Sequence, residues 1–67
     1  MINMDNYATR RAELNAYIMR NCVYKWQVAA YMGCVPQTFS RKMQMPSEEF
    51  YQDVIDTVDK IVEERNK

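Results

Sequence analysis

Apolar residues recur along the chain at spacings of three and four, and this periodicity predicts helices. The first helix extends from about Tyr7 to about Arg20, with Asn6 as its N-cap. Its apolar face comprises Tyr7, Leu14, Tyr17 and Ile18. Asn21-Cys22 then forms a short connection to the next helix.

Two shorter helices are predicted on either side of the only glycine. The first extends from Lys25 to Met32, and Gly33 ends it because glycine takes a positive φ without steric cost. Pro36 suits the first turn of the second, where its missing N–H would have no intrahelical partner. That helix ends near Met45-Pro46, since proline disfavours helical geometry at the residue before it.

The last predicted helix extends from Glu48 to about Glu64, with Ser47 as its N-cap. Its apolar positions are Phe50, Tyr51, Val54, Ile55, Val58, Ile61 and Val62. The succession of helical patterns, with only one glycine and two prolines, predicts an all-α fold. A length of 67 residues corresponds to one domain, residues 1–67.

Residue types that would support several other classes of protein are missing. The sequence has no histidine and only two cysteines, so neither a zinc site nor a disulfide framework is expected. The first residues lack a signal-peptide pattern, and no apolar run approaches the ~20 residues of a membrane span. No catalytic constellation is present. We therefore expect a cytoplasmic protein that is not an enzyme and uses no cofactor, metal or small-molecule ligand.

Charge is distributed unevenly along a chain that is neutral overall. Residues 1–46 carry six basic and two acidic side chains, a net +4, whereas residues 47–67 carry three basic and seven acidic ones, a net −4. This polarity is typical of a protein that turns one side toward a polyanion. The acidic run also has a simpler interpretation as the solvated outer face of the last helix.

The spacing around Gly33 favours two helices that cross at a steep angle. Ala29, four residues before it, leaves room for the second helix, and Phe39, six residues after it, packs back onto the first. Such a corner occurs in ordinary small helical proteins. It also forms the helix-turn-helix that places its second helix in the DNA major groove.

The segment from Val23 to Gln44 resembles the helix-turn-helix of the lambda-repressor/Cro-like (XRE) transcriptional regulators. The matching residues are Val28-Ala29, Gly33-Cys34, Phe39 and Ser40-Arg41. The resemblance implies a domain of four or five short helices with the helix-turn-helix at about 25–44. It also implies sequence-specific binding of double-stranded DNA by a repressor or Cro-type regulator of phage or mobile-element origin.

The chain also departs from the family pattern. Tyr24 stands where the family often has a capping Thr or Ser, and Lys25 where it often has a Gln that contacts a phosphate. Lys42 occupies a position that is usually apolar, so Met43 is expected to supply the packing. One long last helix stands where the family often has two shorter ones. The dimer interface of this chain is therefore expected to differ from the one that the family usually has.

The resemblance implies that the exposed side of the third helix reads bases. The expected base contacts are Val35, Pro36, Gln37, Ser40, Arg41 and Gln44. Gln can form paired hydrogen bonds with an adenine edge and Arg with a guanine edge, so Gln37 and Arg41 are the main candidates. Phosphate contacts, which position a protein without reading sequence, are expected from Lys25, Gln27, Thr38 and Lys42.

Two features leave other interactions open. The last helix either buries a wide apolar stripe in a small core or shares one edge with a second copy of the chain. The candidates for homodimer contacts are Tyr51, Ile55, Val58 and Val62. Part of the Trp26 indole is expected in the core, and the alternative is a contact of its N–H with a partner or a phosphate. The competing function is a protein-interaction module that binds another regulator or a polymerase subunit through Trp26 and the acidic helix.

Overall fold

Four α-helices make up the part of the chain that the computed structural model describes, which is residues 3–67, with side-chain surroundings described from Tyr7 onward. They are α1 (Asn3–Arg20), α2 (Lys25–Met32), α3 (Pro36–Gln44) and α4 (Glu48–Arg65). No strand occurs among these residues, which confirms the predicted all-α fold. α1 and α2 each contact both α3 and α4, so the two halves of the chain pack through one shared core.

The helix boundaries match the predicted ones except at the start of α1. α1 begins at Asn3, so Asn6 lies inside the helix and the prediction that it is the N-cap was wrong. The residues before Tyr7 include neither glycine nor proline, and the helix therefore gains a further turn at this end. Ser47 does cap α4, since its Oγ accepts a hydrogen bond of 3.1 Å from the backbone N–H of Phe50.

The corner between α2 and α3 is formed by Gly33 in the left-handed region, with φ of 76°. The Gly33 N–H donates to the Ala30 carbonyl at 3.1 Å, and the Cys34 N–H donates to the Ala29 carbonyl at 2.9 Å. These two bonds satisfy carbonyl groups that the end of α2 would otherwise leave unpaired. A Cβ atom at this position would meet no other atom within 4 Å, so a side chain would have room. Glycine suits the position because of its positive φ, which other residues rarely adopt.

The core lies where the four helices meet. Its buried residues are Leu14, Ile18, Val23, Val28, Ala29, Phe39, Met43, Phe50, Val54 and Val58. The rings of Phe39 and Phe50 are 5.6 Å apart at their centroids and tilted by 59°, an arrangement that aromatic pairs favour. Ala29 and Phe39 are thus packing residues as predicted, and Met43 supplies the packing that the exposed Lys42 does not.

Three tyrosine hydroxyl groups tie the helices together at the edge of the core. Tyr17 of α1 donates to Asp59, Tyr31 of α2 donates to Glu64 at 2.6 Å, and Tyr51 of α4 donates to Glu13 at 2.9 Å. In each case the hydrogen bond to the carboxylate is the main cause that raises the tyrosine pKa above its ordinary value of 10.0, and burial adds to it. Each bond links α4 to an earlier helix.

These bonds predict a loss of stability at alkaline pH. Because the tyrosine pKa values are higher in the folded chain than in the unfolded one, their contribution is complete below about pH 10 and is lost as the pH rises through the raised values. Urea denaturation across this pH range should show that the free energy of unfolding falls more steeply for the wild type than for the variant Tyr17→Phe/Tyr31→Phe/Tyr51→Phe. That variant should be less stable at neutral pH. Parallel curves at alkaline pH would contradict the prediction.

Candidate nucleic-acid interface

One side of α3 is exposed and lined by polar side chains. An open hollow of about 440 Å³ lies along it, lined by Pro36, Gln37, Ser40, Arg41 and Gln44. The last four are spaced by three, one and three residues, which places them on one side of a helix, whereas Phe39 and Met43 turn into the core. The structure therefore brings five of the six expected base contacts together.

The sixth expected base contact, Val35, is the N-cap of α3. Its backbone is extended, with φ of −72° and ψ of 150°, and 60% of the residue is exposed. The following Pro36 occupies the first turn, as predicted, and the helix starts there without a side-chain cap. Val35 thus stands at the end of the α3 face and offers an apolar surface at that end.

The expected phosphate contacts do not form one group. Lys25 opens α2 and lies on the same side of the molecule as Ser40 and Gln44, with which it lines a cleft. Gln27 is partly used within the chain, because its Oε1 accepts a hydrogen bond of 2.9 Å from the Tyr24 N–H and so caps α2. The Gln27 amide NH₂ remains as a donor.

Thr38 and Lys42 lie on the other flank of α3. At 100° per residue, Thr38 is rotated by about 80° and Lys42 by about 120° from the centre of the face that carries Gln37 and Arg41. The Lys42 ammonium is 5.9 Å from the centroid of the Phe50 ring, and the residue lines a hollow with Glu49 and Asp53 at the start of α4. Lys42 is therefore placed among acidic side chains, apart from Lys25.

The cleft beside Lys25 includes two α1 residues that the sequence analysis did not single out as site residues. It has a volume of about 230 Å³ and is lined by Arg11, Asn15, Lys25, Phe39, Ser40, Met43 and Gln44. Arg11 is held at its edge, since its Nη1 donates to the Gln44 carbonyl at 3.0 Å. The only sequence signal for Arg11 and Asn15 is their spacing of four beside the apolar residues of α1.

The neighbouring arginine has a different role. Arg10 Nη1 donates to the Pro46 carbonyl at 2.9 Å, and Nη2 lies 3.5 Å from Glu48 Oε2. These contacts hold the connection between α3 and α4, and they partly neutralise Arg10. The positive charge next to the α3 face comes instead from Arg11, Lys25 and Arg41.

Trp26 is not a core residue. It is 65% exposed, so the expectation that part of its indole packs inward was wrong. The inward residues of α2 are Val28 and Ala29, and Trp26 lies about 110° around the helix from the midpoint between them. Its ring stacks beside that of Tyr24, which is also 65% exposed, with centroids 6.3 Å apart and planes 8° apart.

The candidate dimer residues on α4 divide into two kinds. Tyr51, Ile55 and Val62 are half-buried and pack against the edge of the core. Val58 has no exposed surface, so the prediction that it contacts a second copy was wrong. Since α4 packs against both α1 and α2, the middle of its wide apolar stripe is covered and only the margins retain exposed area.

Three further observations concern residues 3–67 alone. No three His, Cys, Asp or Glu side chains in this range are grouped so that they could hold a metal ion. None of its helices combines the length and the apolar character needed to cross a membrane. Cys22 and Cys34 are both free thiols.

The chain matches no model of a known protein family, no curated protein and no solved structure.

Proposed function

We propose that the protein binds double-stranded DNA sequence-specifically, as a cytoplasmic transcriptional regulator of the repressor or Cro type. The observation that carries this proposal is the α3 face, where Gln37, Ser40, Arg41 and Gln44 line one open hollow. Within the described part of the chain, no hydrogen bond or ion pair engages the side chains of Gln37 and Arg41. Their donors and acceptors are available to base edges.

The dimensions of α3 suit the major groove. An α-helix with its side chains is about 10–12 Å in diameter and the groove is about 12 Å wide, so the helix can lie within it, and its nine residues span about 14 Å of length. Gln37 would pair with an adenine edge and Arg41 with a guanine edge, while Val35 and Pro36 offer apolar contacts to thymine methyl groups. Ser40 and Gln44 would complete the reading face.

α2 would lie across the DNA backbone. Lys25 is at its first position, and its first turn has no acidic residue, so the positive end of the helix is uncompensated. Further phosphate contacts would come from Gln27 of α2 and, on the far flank of α3, from Thr38 and Lys42. Such contacts position the protein without reading sequence.

The test is a titration of labelled duplexes with the protein, followed by fluorescence anisotropy at ~50 and ~200 mM salt. A pool of genomic fragments is compared with duplexes of random sequence. Binding at the lower salt should weaken steeply at the higher one, because released counterions make phosphate contacts salt-dependent. No detectable binding to any duplex at ~50 mM salt would contradict the proposal. If binding is detected, selection of bound sequences from random DNA identifies the preferred site.

We further propose that two copies bind together, because small helix-turn-helix domains commonly read two half-sites about one helical turn, or ~34 Å, apart. The half-buried margin of α4, with Tyr51, Ile55 and Val62, supplies the apolar area for this contact. Sedimentation of the free protein and of its DNA complex measures the number of copies. A complex with one copy on every selected site would contradict the homodimer.

A second candidate function rests on the exposed pair Tyr24 and Trp26. Large aromatic side chains anchor many protein–protein interfaces, and this pair together with the acidic α4 could bind another regulator or a polymerase subunit. The DNA titration separates the two functions, since an interaction module of this kind would bind no duplex at ~50 mM salt.

A further inference from the structure

We infer that the cleft between α1, α2 and α3 binds one phosphate group of the DNA backbone, and that Arg11 of α1 and Lys25 of α2 hold it. The inference rests on the proposed DNA binding and adds a contact from α1, which is not part of the helix-turn-helix itself. It names the chemistry of the cleft as that of a phosphodiester, a singly charged tetrahedral anion.

The lining of the cleft has the composition of an anion site. Arg11 and Lys25 are its charged residues, and no carboxylate lines it. Ser40 contributes a hydroxyl donor, and the uncompensated N-terminus of α2 adds partial positive charge beside Lys25. A volume of about 230 Å³ leaves room for a phosphate group.

Arg11 is held in place without being neutralised. Its Nη1 donates to the Gln44 carbonyl at 3.0 Å, which is a neutral acceptor at the end of α3. A guanidinium has five N–H donors, so the others remain available, and its planar fork suits the paired oxygens of a phosphate. The bond to Gln44 therefore orients the guanidinium and leaves its charge for an external anion.

Asn15 forms a neutral part of the cleft wall. Its Oδ1 is the buried side-chain polar atom of the described residues that has no hydrogen-bond partner, and the residue lines this cleft. Because this oxygen is an acceptor and is closed off from solvent, it does not itself contact the phosphate. The phosphate is held by the donors of Arg11, Lys25 and Ser40, which line the same cleft.

The cleft is continuous with the face proposed to read bases. Ser40 and Gln44 line both the cleft and the hollow that contains Gln37 and Arg41. When α3 lies in the major groove, the sugar-phosphate backbone that borders the groove passes beside this helix. A phosphate can then enter the cleft while Gln37 and Arg41 face the bases.

The first experiment measures the salt dependence of DNA binding for Arg11→Gln, with Arg20→Gln as the matched control. Arg20 is another exposed α1 arginine, with its guanidinium 5.7 Å from the centroid of the Tyr17 ring and no part in the cleft. Loss of one phosphate contact should reduce the slope of log K against log salt by about 0.9. Arg11→Gln should show this reduction and weaken specific and random duplexes by the same factor, whereas Arg20→Gln should leave the slope unchanged.

Two further variants separate charge from folding. Arg11→Lys keeps the positive charge and should retain most of the slope of log K against log salt. Asn15→Asp has nearly the same shape and adds a negative charge inside the cleft, so it should weaken binding to both duplexes. Circular dichroism checks that all variants are helical. An unchanged slope for a helical Arg11→Gln protein would overturn the inference while the proposed DNA binding stands.

The second experiment locates the phosphate. Duplexes carrying one neutral methylphosphonate at successive backbone positions are titrated with the wild type and with Arg11→Gln. One position should weaken the wild type and have no further effect on the variant. Equal losses for both proteins at every position would overturn the inference. If the wild type binds no duplex at all, the proposed DNA binding itself is wrong and the inference falls with it.

Discussion

Replacement of Phe39 by alanine is expected to lower the free energy of unfolding by about 3–5 kcal/mol. Phe39 is only 2% exposed, packs against Phe50 and lines the cleft between α1, α2 and α3. A chain of 67 residues has a total stability of roughly 3–10 kcal/mol, so this loss should remove a large share of it. Urea denaturation followed by circular dichroism measures it.

Phe39→Leu is the matched control. It retains most of the buried apolar volume and should cost less than about 1.5 kcal/mol. The comparison therefore isolates the cavity that alanine leaves at the centre of the four helices. A loss below about 1 kcal/mol for Phe39→Ala would show that the α2–α3 corner does not depend on this contact.

Arg41→Ala is expected to weaken binding to a selected DNA site by roughly 5- to 150-fold, which corresponds to the 1–3 kcal/mol of a paired contact with a guanine edge. Binding to random duplex should change far less, since that binding depends on phosphates. The physical basis is the position of Arg41 on the exposed α3 face with no partner inside the described chain. Parallel anisotropy titrations with the two duplexes measure the ratio.

Arg41→Lys controls for charge in this experiment. It preserves the attraction to phosphates and removes the planar fork that fits a guanine edge, so it should lose specificity while keeping its affinity for random DNA. Equal losses on the two duplexes for Arg41→Ala would mean that Arg41 contacts only a phosphate. Gln37 would then be the remaining candidate for the main base contact.

The helices and the corner could be predicted because their signals are local. Ser47 caps α4 through the N–H of a residue three positions on, and Gly33 ends α2 through its own φ. The register of α3 follows in the same way from the apolar Phe39 and Met43. Once these two residues face inward, Gln37 and Arg41 must face outward.

α2 and α4 show where a local pattern is insufficient. α2 is apolar on more than one side, so its periodicity alone does not indicate whether Trp26 or Val28 faces the core. α4 has an apolar stripe wide enough for two neighbours, and the packing of both α1 and α2 against it covers Val58. In both helices the inward side depends on which other helices are close.

The four helices, the turn at Gly33 and the polar face of α3 follow from local signals in the chain, because spacing, capping and backbone preference act within a few residues. The packing of the helices places Arg11 and Asn15 in one cleft with Lys25 and Gln44, and it places Lys42 among the acidic residues of α4. Arg11 and Gln44 are 33 positions apart and meet because α1 packs against α3. Such a meeting depends on how whole helices pack, and no periodicity along one helix records it.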